Sequence, residues 1–211
     1  MLPPEEEALA DLKALMRDCC RNVQENAPGL HQYSRELAAF MLCSMTWLFQ
    51  SECISREEQA LYFRSLSRIE QDPAAFPLDN VQKASLSLIA GLLSWDLGMP
   101  EAGIYFQKSL MSSESPNVPR SMRASILQAA AMYDGKAGKT RAGLRYLEEA
   151  ISELSSIWQS YVRYLNDARL IQILTPTQLL FAGCYAMLRK SVNTEAAYES
   201  VLQFKALASL A

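Results

Sequence analysis

The sequence of 211 residues contains no apolar run as long as the roughly 18 residues that a membrane-spanning helix needs. It also lacks the basic and then apolar start of a signal peptide, since it begins with the acidic stretch MLPPEEEALADL. There is no excess of positive charge, because the net charge is −3. A basic surface is the feature that attracts nucleic acids and anionic membranes. We therefore expect a cytoplasmic protein that does not bind nucleic acids or membranes directly.

Residues that could build a metal or disulfide site are few and poorly spaced. The single histidine, His31, follows Pro28-Gly29 without an acidic or serine motif beside it. The five cysteines are an odd number and show no CxxC spacing, which argues against a zinc site or a disulfide framework. We expect no metal, no cofactor, a surface or capping role for His31, and reduced, mostly buried thiols. Of the adjacent Cys19 and Cys20, one should face the core and the other a neighbouring helix or solvent.

Sequence motifs of common enzymes are missing as well. No glycine-rich phosphate loop, HExxH pattern or GxSxG pattern occurs. Paired acids such as Glu57-Glu58 and Glu148-Glu149 fit solvated faces of helices. We therefore expect a protein without enzymatic activity.

Alternating strand patterns are absent, whereas apolar residues recur at helical spacing along the chain. Ser55 and Glu58 have the spacing of a capping box, which predicts the start of a helix, and the loop DPAAFPLDN ends it. Further helices are expected over 81–97 and from Pro100 to about Ser112. The pattern predicts an all-α fold of about nine or ten helices.

The segment 151–174 fits either one long helix or two. We favour a break at Ser155-Ser156, because Ser156 and Gln159 have the spacing of a capping box. A carboxyl-terminal hairpin is expected over 175–211, with Pro176 in its first helical turn.

Two central segments, 80–112 and 120–154, have the same layout. In each, small residues lie inside an apolar run, a glycine closes the run, and a second amphipathic stretch follows. Small side chains let two helices approach closely, and glycine can adopt the left-handed conformation that ends a helix. The small residues are Ala90 and Gly91 in the first segment and Ala130 and Ala131 in the second, and the closing glycines are Gly98 and Gly138.

The two segments resemble tetratricopeptide repeats, in which a small residue on one helix is followed on the next by an alanine and a bulky residue four positions later. In the first segment Gly91 takes the small position, and Ala102 with Phe106 takes the pair. In the second segment Ala131 takes the small position, and the pair is either Gly143 with Leu147 or Ala142 with Tyr146.

The resemblance departs from the family pattern in two respects. In the first segment Ser87 and Ser94 replace its tryptophan and tyrosine, and Gly98 and Gly138 are 40 positions apart, against a repeat period of about 34. With these departures, the resemblance implies a single domain over 1–211, built as a right-handed α-solenoid of antiparallel helix hairpins. The alternative is an irregular helical bundle.

The tail from Ile157 to Ala211 resembles the helices that precede the caspase-like CHAT peptidase domain in bacterial TPR-CHAT proteins. The similarity is mainly at Tyr198, Leu202, Lys205 and Ala206. It implies the regulatory arm of a CHAT-type protease system without the protease itself, since the strands and the histidine-cysteine pair of the peptidase are not visible in the sequence.

A solenoid exposes a concave surface built from the first helices of its repeats. On that surface we expect a protein or peptide partner, because an aromatic anchor lies there among charges of both signs. The predicted contact residues are Leu88, Leu92, Trp95, Asp96, Gln128, Met132 and Lys136.

The sequence leaves three functions open. The leading one is a non-catalytic scaffold that binds a protein or peptide segment, and the second is the CHAT-type regulatory arm. The third, a helical ligand-sensing transcription regulator, is disfavoured because the first helix is acidic, whereas DNA binding needs a basic helix-turn-helix.

The helix over 194–211 has little polar surface, so we expect a further domain, a partner chain or a second copy of this protein to cover it.

Overall fold

The computed structural model describes residues 55–161 and scattered positions between 10 and 25. The chain divides into two compact units, Met1–Asn117 and Val118–Ala211. The expectation of one domain over 1–211 stays a prediction. His31, the hairpin over 175–211 and the CHAT-like residues from Tyr198 to Ala206 lie outside the described residues.

Every regular element over 55–161 is an α-helix, and no strand occurs in this range. The all-α prediction is therefore confirmed for the part of the chain that is described, whereas the solenoid and the count of nine or ten helices stay predictions. The helices are α1 (Arg56–Gln71), α2 (Asn80–Asp96), α3 (Ala102–Ser113), α4 (Arg120–Lys136) and α5 (Thr140–Tyr161).

Reciprocal hydrogen bonds at its amino terminus fix where α1 begins. The Glu58 backbone N–H donates to the Ser55 hydroxyl at 3.3 Å, and the Ser55 backbone N–H donates to the Glu58 carboxylate at 2.9 Å. The predicted capping box is confirmed. Helix α2 begins in the same way, with Asp79 and Gln82, a pair that the sequence analysis did not identify.

The two predicted turns share one backbone geometry. Gly98 after α2 and Gly138 after α4 have positive φ angles of 73° and 79°. In each turn the next backbone N–H reaches back five residues, from Met99 to the Ser94 carbonyl and from Lys139 to the Asp134 carbonyl, both at 2.8 Å. This arrangement satisfies carbonyls that the end of a helix leaves without partners. The predicted role of the two glycines is confirmed.

Helices α2 and α3 pack closely because Gly91 has no side chain. A Cβ atom at Gly91 would lie 3.1 Å from the Phe106 ring, which is tighter than ordinary van der Waals contact. Further along the same pair, the buried Ser109 hydroxyl donates to the Ala84 carbonyl at 2.8 Å. The close helix crossing predicted at Gly91 is confirmed.

The core of the first unit lies between the amino-terminal helical residues and helices α1 to α3. Its apolar cluster includes the loop residue Phe76. The rings of Phe63 on α1 and Tyr105 on α3 meet edge to face at 5.6 Å. Met16, Cys20 and Val23 are fully buried in this core, so the expectation of a buried thiol is confirmed for Cys20.

The predicted helix break at Ser155-Ser156 is wrong, because α5 continues through both residues to Tyr161. A serine caps a helix only when its oxygen is directed at the backbone amides of a helix start. Here the Ser156 hydroxyl accepts a hydrogen bond from the Arg120 guanidinium of α4. Arg120 and Arg123 also contact Glu153, so side chains of α4 occupy this part of α5.

Glu58 joins the amino-terminal helical residues to the start of α1. Its carboxylate accepts a hydrogen bond from Arg17 at 2.9 Å and lies 3.9 Å from the Lys13 ammonium. Partial burial acts to raise the pKa of Glu58. The hydrogen bonds from Ser55 and Arg17 and the charge of Lys13 outweigh burial, so the pKa lies below its ordinary value of 4.5.

We expect Gly91→Leu to lower the free energy of unfolding by about 1 to 3 kcal/mol, because the larger side chain must displace the Phe106 ring. In Gly91→Ala, a gain in helix propensity of about 1 kcal/mol opposes the contact of a single methyl group. The free energy of unfolding of Gly91→Ala should therefore lie closer to that of the wild type. Urea unfolding followed by circular dichroism measures both, and an unchanged midpoint for Gly91→Leu would contradict the close crossing.

We expect Glu58→Gln to lower the free energy of unfolding by about 1 kcal/mol at pH 7, because Arg17 and Lys13 lose a partly buried anion. A carboxyl group whose pKa is lowered on folding stabilises the fold above its unfolded pKa, and this is lost as the pH falls through the folded value. The difference from the wild type should therefore shrink below about pH 4.5. Glu57→Gln, at an exposed neighbour with no ion pair among the described residues, is the control and should show no such trend.

Candidate functional site

The contact residues predicted on α2 form one partly exposed face. Leu88, Leu92 and Trp95 are separated by four and three residues, a spacing that brings side chains to the same side of a helix. All three are partly exposed, and Asp96 beside them is exposed. Val81 continues the same face toward the start of the helix. We call Val81, Leu88, Leu92 and Trp95 the α2 stripe.

Trp95 is held in place by its contact with α3. Its ring meets the Phe106 ring edge to face, with 6.1 Å between the ring centroids and 82° between their planes. Phe106 is the ring that packs over Gly91 and is itself buried. The orientation of Trp95 therefore depends on the close approach of α2 and α3, and its remaining surface is partly exposed.

The contact residues predicted on α4 belong to the second unit and differ in exposure. Met132 is partly exposed and Lys136 is exposed, whereas Gln128 is buried, with 8% of its surface exposed. The three residues are spaced by four and lie on one side of α4. Met132 and Lys136 can contact a partner directly, whereas little of Gln128 can be reached from solvent.

Tyr62 on α1 is a buried titratable residue near Glu58, Cys20 and Arg17. Burial, together with nearby Glu58 and Cys20, raises the pKa of Tyr62 to about 12. Its hydroxyl is buried and has no hydrogen-bond partner among the described residues. At neutral pH Tyr62 is therefore an uncharged phenol inside the core. Three or more residues placed to hold a metal ion were not found in the described part of the chain.

A pocket that the sequence analysis did not identify opens on the other side of α2. It lies between the end of α1, the loop over 72–79, α2 and α3, and has a volume of about 240 Å³. Its walls are mainly apolar, and Lys83, Lys108 and Met111 are among the lining residues. The sequence does place Lys108 and Met111 three residues apart, on one face of α3. The loop and α1, which form the rest of the pocket, meet them only in the tertiary structure.

No protein-family model matches the chain, and no match was found among curated proteins or solved structures. The resemblances to tetratricopeptide repeats and to TPR-CHAT proteins therefore stay predictions. Among the described residues, no helix is both long enough and apolar enough to span a membrane.

Proposed function

We propose that this chain is a non-catalytic helical scaffold that binds a segment of a protein or peptide partner. The observation that carries the proposal is the α2 stripe, in which Leu88, Leu92 and Trp95 leave apolar surface accessible on one side of a helix. When a partner removes partly exposed apolar side chains from water, the free energy falls by roughly 25 cal/mol for each Å² of apolar surface buried.

Trp95 is the proposed anchor of this contact. Tryptophan is enriched among the residues that dominate binding energy, because its large ring buries much apolar area at little cost in side-chain entropy. The contact with Phe106 holds the ring before a partner arrives, which reduces the ordering that binding requires. Asp96, exposed beside Trp95 on α2, adds a negative charge to this proposed contact.

A direct test uses the full chain and a phage library of random peptides. Peptides selected on the wild-type protein are labelled, and their affinities are measured by fluorescence anisotropy. We expect Trp95→Ala to weaken binding by about tenfold or more, because the substitution removes the anchor. Failure to enrich any peptide would contradict the proposed function.

A matched control separates the loss of the anchor from a general loss of stability. Ile89→Val, at a buried core position of α2 outside the stripe, should lower the free energy of unfolding by about 0.5 to 1.5 kcal/mol while keeping the contact between Trp95 and Phe106. We expect this variant to bind the selected peptides more tightly than Trp95→Ala does. Equal binding by Trp95→Ala and the wild type would exclude Trp95 as a contact residue.

A further inference from the structure

The pocket between α1, α2 and α3 lies on the side of α2 opposite the stripe. Lys83 and Leu92 are nine residues apart, which is two and a half turns of a helix and places them on opposite faces. Lys83, Leu86 and Ser87 line the pocket, whereas Leu88, Leu92 and Trp95 belong to the stripe. The pocket is therefore a separate surface of the first unit.

The floor of the pocket is apolar and already formed. Ile69, Phe76 and Leu86 line it, and all three are buried in the core. Phe76 is supplied by the loop, whose turn is closed by two hydrogen bonds. The Ala75 backbone N–H donates to the Asp72 carboxylate at 3.1 Å, and the Phe76 backbone N–H donates to the Asp72 carbonyl at 3.0 Å. A ligand would not have to order this wall, which removes one cost of binding.

The size of the pocket favours a single side chain over a larger molecule. Clefts that enclose drug-sized ligands have volumes of roughly 300 to 1,000 Å³, and this pocket has about 240 Å³. Its open side continues onto Met111, whose surface is 72% exposed. Methionine is a flexible, polarizable side chain that adapts to different apolar partners. A segment that inserts one side chain could thus continue across Met111.

The two lysines that line the pocket differ in their partners. The Lys108 ammonium forms an ion pair with Glu70 at 2.7 Å and lies over the Tyr105 ring, 5.4 Å from its centroid. Lys83 is exposed, and its side chain makes no hydrogen bond or ion pair within the described residues. Among the residues that line the pocket, Lys83 is thus the positive charge that Glu70 does not balance, and it can pair with an anionic group on the ligand.

We propose that this pocket receives one large apolar side chain of a partner peptide, and that an acidic residue of the same peptide pairs with Lys83. The inference rests on the proposed function and adds the chemistry of the partner: an extended or helical segment with leucine, methionine or phenylalanine close to aspartate or glutamate. The apolar side chain supplies the burial, and the acidic residue fixes the orientation.

The test uses peptides selected from the same random library on the full chain. We expect the enriched sequences to place a large apolar residue within about four positions of an acidic one, a spacing that neighbouring side chains on one peptide face can share. For a labelled peptide of this type, Lys83→Glu and Met111→Glu should each weaken binding by about tenfold or more. Both substitutions are at exposed positions, and circular dichroism should confirm that the fold is unchanged.

Matched controls come from the same unit. Ile104→Glu replaces another exposed apolar residue of α3, 58% exposed and outside the pocket lining, and Arg64→Glu reverses an exposed charge on α1. Neither should change the affinity by more than about twofold, since rim and distant charges contribute little. A charge exchange is the sharpest control: changing the acidic residue of the peptide to lysine should restore binding to Lys83→Glu and weaken binding to the wild type.

Each remaining outcome overturns a defined claim. If no peptide is enriched, the proposed function fails and this inference fails with it. If peptides bind but are insensitive to Lys83→Glu and Met111→Glu, the scaffold function stands and the pocket is not the site. If octanoate, titrated by calorimetry, binds the wild type and not Met111→Glu while no selected peptide competes with it, the occupant is a free aliphatic carboxylate and the peptide proposal is wrong.

Discussion

The close approach of α2 and α3 at Gly91 is the constraint on which the first unit depends. Because Gly91 has no side chain, the Phe106 ring lies directly against the backbone of α2. The left-handed turn at Gly98 joins the two helices and reverses the chain direction. The buried hydrogen bond from Ser109 to the Ala84 carbonyl then holds the helices in register. A larger residue at position 91 would separate the helices at the point where the aromatic contacts begin.

Two surfaces follow from this helix pair. On one side Phe106 supports Trp95, so the α2 stripe presents an aromatic ring that is already oriented. On the other side α3 directs Lys108 and Met111 toward the loop and the end of α1, and the apolar pocket lies between them. The contact of Phe63 with Tyr105 and the ion pair of Glu70 with Lys108 attach α1 to α3 and close the far wall. One hairpin thus supports two separate surfaces, the α2 stripe and the apolar pocket.

Local signals in the sequence were reliable where neighbouring residues alone decide the geometry. The capping box at Ser55 and Glu58 and the left-handed glycines Gly98 and Gly138 were predicted correctly, because each depends on hydrogen bonds within one turn. The same kind of signal failed at Ser156. Its spacing to Gln159 fits a cap, but its hydroxyl accepts from Arg120, which is 36 positions earlier in the chain. A spacing rule cannot include a partner so distant in sequence.

The sequence by itself determined the helical class of the described part, the positions of its turns and the place where two helices could approach closely. These properties follow from apolar periodicity, capping residues and the absence of a side chain at Gly91. The tertiary structure alone decided which faces stayed accessible. Gln128 is buried although its helix position suggested exposure, whereas Lys83 and Met111 became the rim of a pocket with Phe76 from a loop. Accessibility depends on what packs against a residue, and those neighbours come from distant parts of the chain.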